Sequence, residues 1–154
     1  MSVFQTSILA ADCVFYEGPC EYLSVPGLQG QYGIQAHHCN TIIAVRPGEL
    51  SYRIPGQPTQ IASVSEGLVK IENNEVLVLV DSAERPEEID ENRARRAADE
   101  AKEALLQKRS IQENRIAQAQ LARAVSRLRV KKDYEKFSYR HASRESIVLC
   151  EFYY

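Results

Sequence analysis

Arg115, Arg123, Arg127 and Arg129 stand in a stretch that holds one acid, Glu113, and runs on into Lys131 and Lys132. A guanidinium group presents a planar fork of donors that matches a carboxylate or a phosphate. Arg123 and Arg127 are four residues apart, so on a helix they share a face. The pattern reads either as a solvated helix face or as a face that meets an acidic protein surface or a phosphate. Nucleic acid is the poorer partner, because the preceding stretch is rich in acids and the formal net charge of the chain is −2. His37, His38 and Cys39 form the other chemically suggestive group. Adjacent residues point to different sides of a chain and no second set of metal ligands stands nearby, so this reads as a polar or partner-touching loop, not a metal centre. No nucleophile–base pair and no glycine-rich phosphate loop is found, so no catalytic residue is assigned and the chain reads as a non-enzyme.

Two kinds of element must position these side chains. From VFQTSIL at Val3–Leu9 to EVLVLV at Glu75–Val80 there are about nine short strand-like runs, with breaks roughly every 8–12 residues. The breaks carry turn chemistry: Pro26-Gly27, Pro47-Gly48, Pro55-Gly56 and Asn73-Asn74. Such spacing predicts an antiparallel sandwich or barrel. A helix is expected to start near Pro86 or Glu87, because proline suits a first helical turn and the acids Glu87, Glu88, Asp90 and Glu91 complement its dipole. Ala94, Ala97, Ala101, Ala104 and Leu105 then recur at helical spacing. Ser110 and Glu113 have the spacing of a capping box, which starts a second helix at Ile111. Its apolar stripe is Ala117, Leu121, Ala124, Val125 and Leu128, and the short connection makes an antiparallel helical hairpin. Alanine buries little apolar area, so modest intrinsic stability is expected of this hairpin.

The chain therefore divides into a strand-rich part (1–86), a helical hairpin (87–130) and an extra C-terminal tail (131–154). Residues 1–86 hold 4 basic and 9 acidic side chains, while residues 87–130 hold 10 and 8. That asymmetry points to different partners for the two parts. In the tail, KKDYEKFSYRHASRES reads as coil or as a helix extension. IVLCEFYY is apolar and β-prone, and is expected to be covered by a sheet edge, the hairpin or another chain. Cys13, Cys20, Cys39 and Cys150 show no CxxC spacing and read as thiols of a reducing compartment. No apolar run approaches the ~20 residues of a membrane span. The first residues lack a basic segment, so no secretory signal is read.

Several motifs in order resemble one family. They are FYEGPCEYLSVPGLQGQYGI at Phe15–Ile34, RPGEL at Arg46–Leu50, SEGLVKIENNEVLVLVDSAERPEEID at Ser65–Asp90, and LARAVSRLRV at Leu121–Val130. Together they resemble the epsilon subunit of bacterial F-type ATP synthases, from Val3 to about Val130. The resemblance implies an N-terminal antiparallel β-sandwich and a C-terminal helical hairpin. It implies a non-catalytic rotor subunit of the central stalk in a proton-transporting complex, peripheral to the cytoplasmic face of the cell membrane. Implied partners are the gamma subunit, the polar loops of the c-ring, and the alpha/beta catalytic subunits. Gln31 and His38 are the implied c-ring contacts, although QAHHCN at Gln35–Asn40 lacks the family's two prolines. The hairpin of the family permits ATP hydrolysis when folded down and blocks it when extended, a role that Arg115, Arg123, Arg127 and Arg129 match. No cofactor is required, but some members hold a regulatory ATP at Ile-Asp-x-x-Arg-Ala. That motif stands here as Ile89, Asp90, Arg93 and Ala94. The resemblance puts Asp90 near the adenine or ribose, Arg93, Arg123 and Arg127 near the phosphates, and Glu84 as an accessory acid. Glu100 stands where strong nucleotide binders can carry an arginine. The alternative is a stand-alone two-domain adaptor, its sandwich and hairpin binding separate partners.

Overall fold

Strands that alternate apolar and polar residues bury one face each, and two such sheets stack around a shared core. The computed structural model describes residues 2–107 and 109–151, with side chains up to residue 138. Nine strand-like runs become β1 (Phe4–Ala10), β2 (Val14–Cys20), β3 (Tyr22–Gly27), β4 (Gly30–Gln35), β5 (Thr41–Val45), β6 (Gly48–Arg53), β7 (Gln60–Val64), β8 (Gly67–Glu72) and β9 (Glu75–Val80), followed by a short β10 (Ala83–Glu84). They form two five-stranded sheets, β2-β1-β9-β8-β5 and β10-β7-β6-β3-β4. Every pairing is antiparallel except β1 with β9, where Gln5–Ala10 runs parallel to Glu75–Val80. Phe4, Ile8, Leu23, Ile34, Leu50 and Tyr52 lie in the core between the sheets. Asn73 and Asn74 take φ of 52° and 62° in the β8–β9 turn, the left-handed geometry that asparagine tolerates in a hairpin. Gly67 cannot carry a side chain, since a Cβ there falls 1.9 Å from the Leu79 carbonyl oxygen.

The start of the helical part differs from expectation. Pro86–Glu88 forms one 3-10 turn, the chain then extends through Ile89 and Asp90, and α1 begins at Glu91, running to Leu106. Burial explains the interruption. Ile89 is 5% exposed, and pulling its side chain inward takes its backbone to φ −77°, ψ 119°. Asp90 restarts the helix as N-cap, accepting from the Arg93 amide at 3.1 Å.

The second helix, α2, spans Ile111–Glu151. Its capping box is complete: the Glu113 carboxylate accepts from the Ser110 amide at 2.9 Å, and the Ser110 hydroxyl accepts from the Glu113 amide at 3.3 Å. The first part of the tail is thus a helix extension. The backbone of 147–151 also belongs to α2, in place of the β-prone reading, and residues 152–154 lie outside the described residues.

The apolar stripes keep all their expected members but Val125, and gain Ala98, Ser126 and Val130. Ala94, Ala98 and Ala101 are the buried residues of α1, with Ala97 on the shoulder. On α2, Ala117 and Ala124 are buried, Leu121 and Leu128 half-buried, and Val125 exposed, while Ser126 and Val130 are buried. The reason is that α2 serves two surfaces. One side packs on α1, and another lies on β6, β7 and the 3-10 turn.

Candidate functional site

The face of α2 that lies on the sandwich carries Arg123, Arg127, Lys131 and Tyr134. Their spacings of four, four and three follow the 3.6-residue period of one helix face. Arg123 grips Glu66 with two nitrogens, its Nε at 3.1 Å from the carboxylate, and reaches Asp81 at 3.4 Å. Arg127 Nε donates to Glu84 at 2.9 Å, with both side chains 32% exposed. Lys131 Nζ donates to the Pro86 carbonyl at 3.0 Å. A backbone hydrogen bond and then the Tyr134 hydroxyl hold the Glu87 carboxyl below its usual range, and the same Tyr134–Glu87 contact raises the phenol. The hairpin therefore sits on the sandwich through a ladder of polar bonds, reinforced by the buried Ser63–Ser126 hydroxyl pair.

Two acceptors of this ladder, Glu66 and Asp81, stand on turns that are bonded to each other. Glu66 follows β7 and Asp81 follows β9, and the Asp81 amide donates to the Glu66 carbonyl at 3.1 Å. Next to them, the Ser82 amide donates to the Ser65 hydroxyl at 2.8 Å and the Ser65 amide to the Ser82 carbonyl at 3.1 Å. The hydrogen bond from Arg123 holds the Glu66 carboxyl below its usual range, and the same bond raises Arg123. Arg85 has its guanidinium 5.1 Å from the centre of the Phe15 ring.

Beside the ladder, between α1, α2 and the ends of β1 and β9, lies a cleft of about 550 Å³ lined by Asp81, Ser82, Ala97, Glu100, Arg123 and Arg127, among others. Of the residues expected around a nucleotide, Arg123 and Arg127 line this cleft and Glu84 is bonded to Arg127. The others are engaged or turned elsewhere. Ile89 and Ala94 are buried, Asp90 caps α1, and Arg93 is exposed with no ion pair among the described residues. These residues do not fit a triphosphate as they stand. The two guanidinium groups are already matched by Glu66, Asp81 and Glu84, and Glu100 adds a further carboxylate to the same cleft. Anionic phosphate brought among carboxylates meets like charge.

Family models match nearly all of this architecture. The model of the ATP synthase delta/epsilon chain β-sandwich domain matches residues 3–86, and that of the long α-helix domain of the same chain matches residues 87–132. The ATP synthase epsilon chain of Laribacter hongkongensis is 34% identical over 130 residues, covering 84% of this chain and 93% of its own. That of Ruminiclostridium cellulolyticum is 38% identical over 128 residues, covering 83% and 95%. The chain belongs to the ATP synthase epsilon-chain family. Among solved structures, a chain of the Euglena gracilis mitochondrial ATP synthase OSCP/F1/c-ring assembly superposes with a TM-score of 0.72 at 19% identity, covering 82% of this chain and 79% of that one. At that identity the likeness bears on the fold. The epsilon chain is a subunit of ATP synthase and is not the catalytic one.

For this epsilon-family chain the two expected c-ring contacts are placed apart. Gln31 accepts from the Ser24 hydroxyl at 2.9 Å and donates to the Glu49 carbonyl at 3.1 Å. His38 packs edge-on against Tyr32, with ring centroids 5.8 Å apart. Tyr32 follows Gln31 in β4, so the two side chains leave on opposite faces. His37 takes a left-handed φ of 62°. Its amide donates to Asn74 Oδ1 at 2.7 Å, and the Asn73 amide donates to Asn40 Oδ1 at 3.1 Å. Asn40 and Asn74 thus brace the loop that lacks the prolines. Their signal in the sequence was no more than turn-forming asparagines, because the residues that meet are more than thirty positions apart. Arg115 and Arg129 are exposed and make no ion pair among the described residues.

A second surface lies on the other sheet. Among the described residues, the sheet that holds β1, β9, β8 and β5 has no helix packed on its outer face, where Leu9, Leu79, Leu68 and Ala44 form one row across four strands. Leu68 and Leu79 are 52% and 45% exposed. No described helix is long and apolar enough to cross a membrane.

Proposed function

We propose that this chain is the rotor subunit of the central stalk, non-catalytic, and peripheral to the cytoplasmic face of a bacterial cell membrane through the complex. The sandwich docks on the gamma subunit and faces the polar loops of the c-ring through His38 and its braced loop. The hairpin restrains ATP hydrolysis when it leaves the sandwich and meets the alpha/beta catalytic subunits.

The observation that carries this reading is the uneven cover of the two sheets. The hairpin shields one sheet through partly exposed ion pairs beside a small buried contact at Ser126 and Val130, whereas the other presents an exposed leucine row. A contiguous apolar row on a sheet face is a surface for a protein partner. The arginines support the regulatory part. In the folded-down form Arg123 and Arg127 are engaged with carboxylates of the sandwich itself. Once released, they join Arg115 and Arg129 as four guanidinium groups offered to an acidic partner, and the two engagements exclude each other.

Binding to the isolated gamma subunit tests the docking face. Leu68→Asp with Leu79→Asp places charge in the centre of the row and is expected to weaken the complex at least tenfold, roughly the effect of losing a hot-spot contact. Unchanged affinity in the folded variant contradicts the proposed face.

A further inference from the structure

We infer that in this chain the carboxylates of Glu66, Asp81 and Glu84 replace a nucleotide as the device that holds the hairpin down. The inference rests on the hairpin being a movable arm, and deepens that reading by assigning what closes the arm.

Three observations converge. Each ladder arginine has a carboxylate partner within the chain, Arg123 with Glu66 and Asp81, and Arg127 with Glu84. The partners for Arg123 are held ready by backbone and serine bonds between the two turns that carry them. The cleft in which phosphate would meet these arginines is lined by Asp81 and Glu100. The two cations that a polyanion would engage are here matched from within, so a polyanion must displace these carboxylates to bind. Next along α2, Lys131 and Tyr134 extend the ladder to the Pro86 carbonyl and Glu87. Tyr134 belongs to the helical extension beyond residue 132, where the family match ends.

The arm so described closes without ligand and responds to ionic strength. The ladder pairs are partly exposed, Arg123 at 35% and Glu66 at 44%, and ion pairs in contact with water are screened by salt.

The test uses the full chain, labelled for energy transfer at native Cys13 and at Ile116→Cys, with Cys39 and Cys150 replaced by serine. The wild-type arm is expected to be closed without nucleotide, unchanged by millimolar MgATP, and progressively opened by sodium chloride. Glu66→Gln, Asp81→Asn and Glu84→Gln together are expected to raise the open fraction about tenfold, the combined effect of several exposed pairs. The salt series on the unmutated ladder reads the same property should the triple variant fold poorly. An arm that closes only when MgATP is added overturns the carboxylate device and leaves the movable arm standing. The device is equally overturned by a folded triple variant that stays as closed as the wild type while salt has no effect, and an arm closed under every condition removes the movable arm as well.

Discussion

Ser63 of β7 and Ser126 of α2 face each other with 3.2 Å between hydroxyl oxygens, both residues buried. Two small polar side chains let the helix lie close to the sheet while burying little apolar area. The contact is specific and weak in the same place, which suits an element that must both dock and leave. A buried hydroxyl that loses its partner costs more than a bonded pair contributes. Ser126→Ala is therefore expected to destabilise the chain by about 1 kcal/mol, and Ser63→Ala with Ser126→Ala to recover most of that loss. Denaturant unfolding of the two single variants and the double variant reads the coupling, and strictly additive losses contradict it.

The loop at Ala36–Asn40 depends on Asn74, which accepts from the His37 amide and donates to the Val3 carbonyl at 3.0 Å. Asn74→Ala removes both bonds and the side chain best suited to its positive φ. A loss of roughly 1–2 kcal/mol is expected. Hydrogen exchange localises the effect: the His37 amide should exchange faster while the β8 and β9 core amides are less affected.

Glu66 and Glu49 respond to acid in opposite senses. Arg123 holds Glu66 below its ordinary value of 4.5, so its contribution is present above that value and lost as the pH falls through the lower folded one. Glu49 is raised above 4.5, first by burial and then by Asp133, with Arg129 opposing. Its contribution is present below 4.5 and lost as the pH rises through the higher folded value. Glu49→Gln is expected to stabilise the chain by about 0.5 kcal/mol at neutral pH, with the gain fading towards about pH 4. Thermal unfolding of the variant beside the wild type across that range checks both the sign and the window.

The strands were legible because each run ends at glycine, proline or asparagine, whose backbone preferences act locally. The parallel β1–β9 pair was not, since nothing near Gln5 records that Glu75 will lie beside it. Nor was β10, two residues held by pairing with Val64 and Ser63. Acidic residues and Pro86 pointed to a helix start a few residues early, and burial of Ile89 moved it. The arginines of the site stood out in the sequence through charge and spacing. Their partners did not, because Glu66, Asp81 and Glu84 are scattered through the strand half and meet α2 only once two turns are clipped together.

Locking the hairpin is the most direct measurement. With Cys13, Cys39 and Cys150 replaced by serine, Ser63→Cys and Ser126→Cys stand where two hydroxyl oxygens are 3.2 Å apart, close enough for a disulfide after small adjustment. The complex reconstituted with the oxidised chain is expected to hydrolyse ATP without restraint, and reduction should restore inhibition. Equal hydrolysis rates in the oxidised and reduced complexes, with the disulfide verified, contradict the hairpin as the regulatory arm.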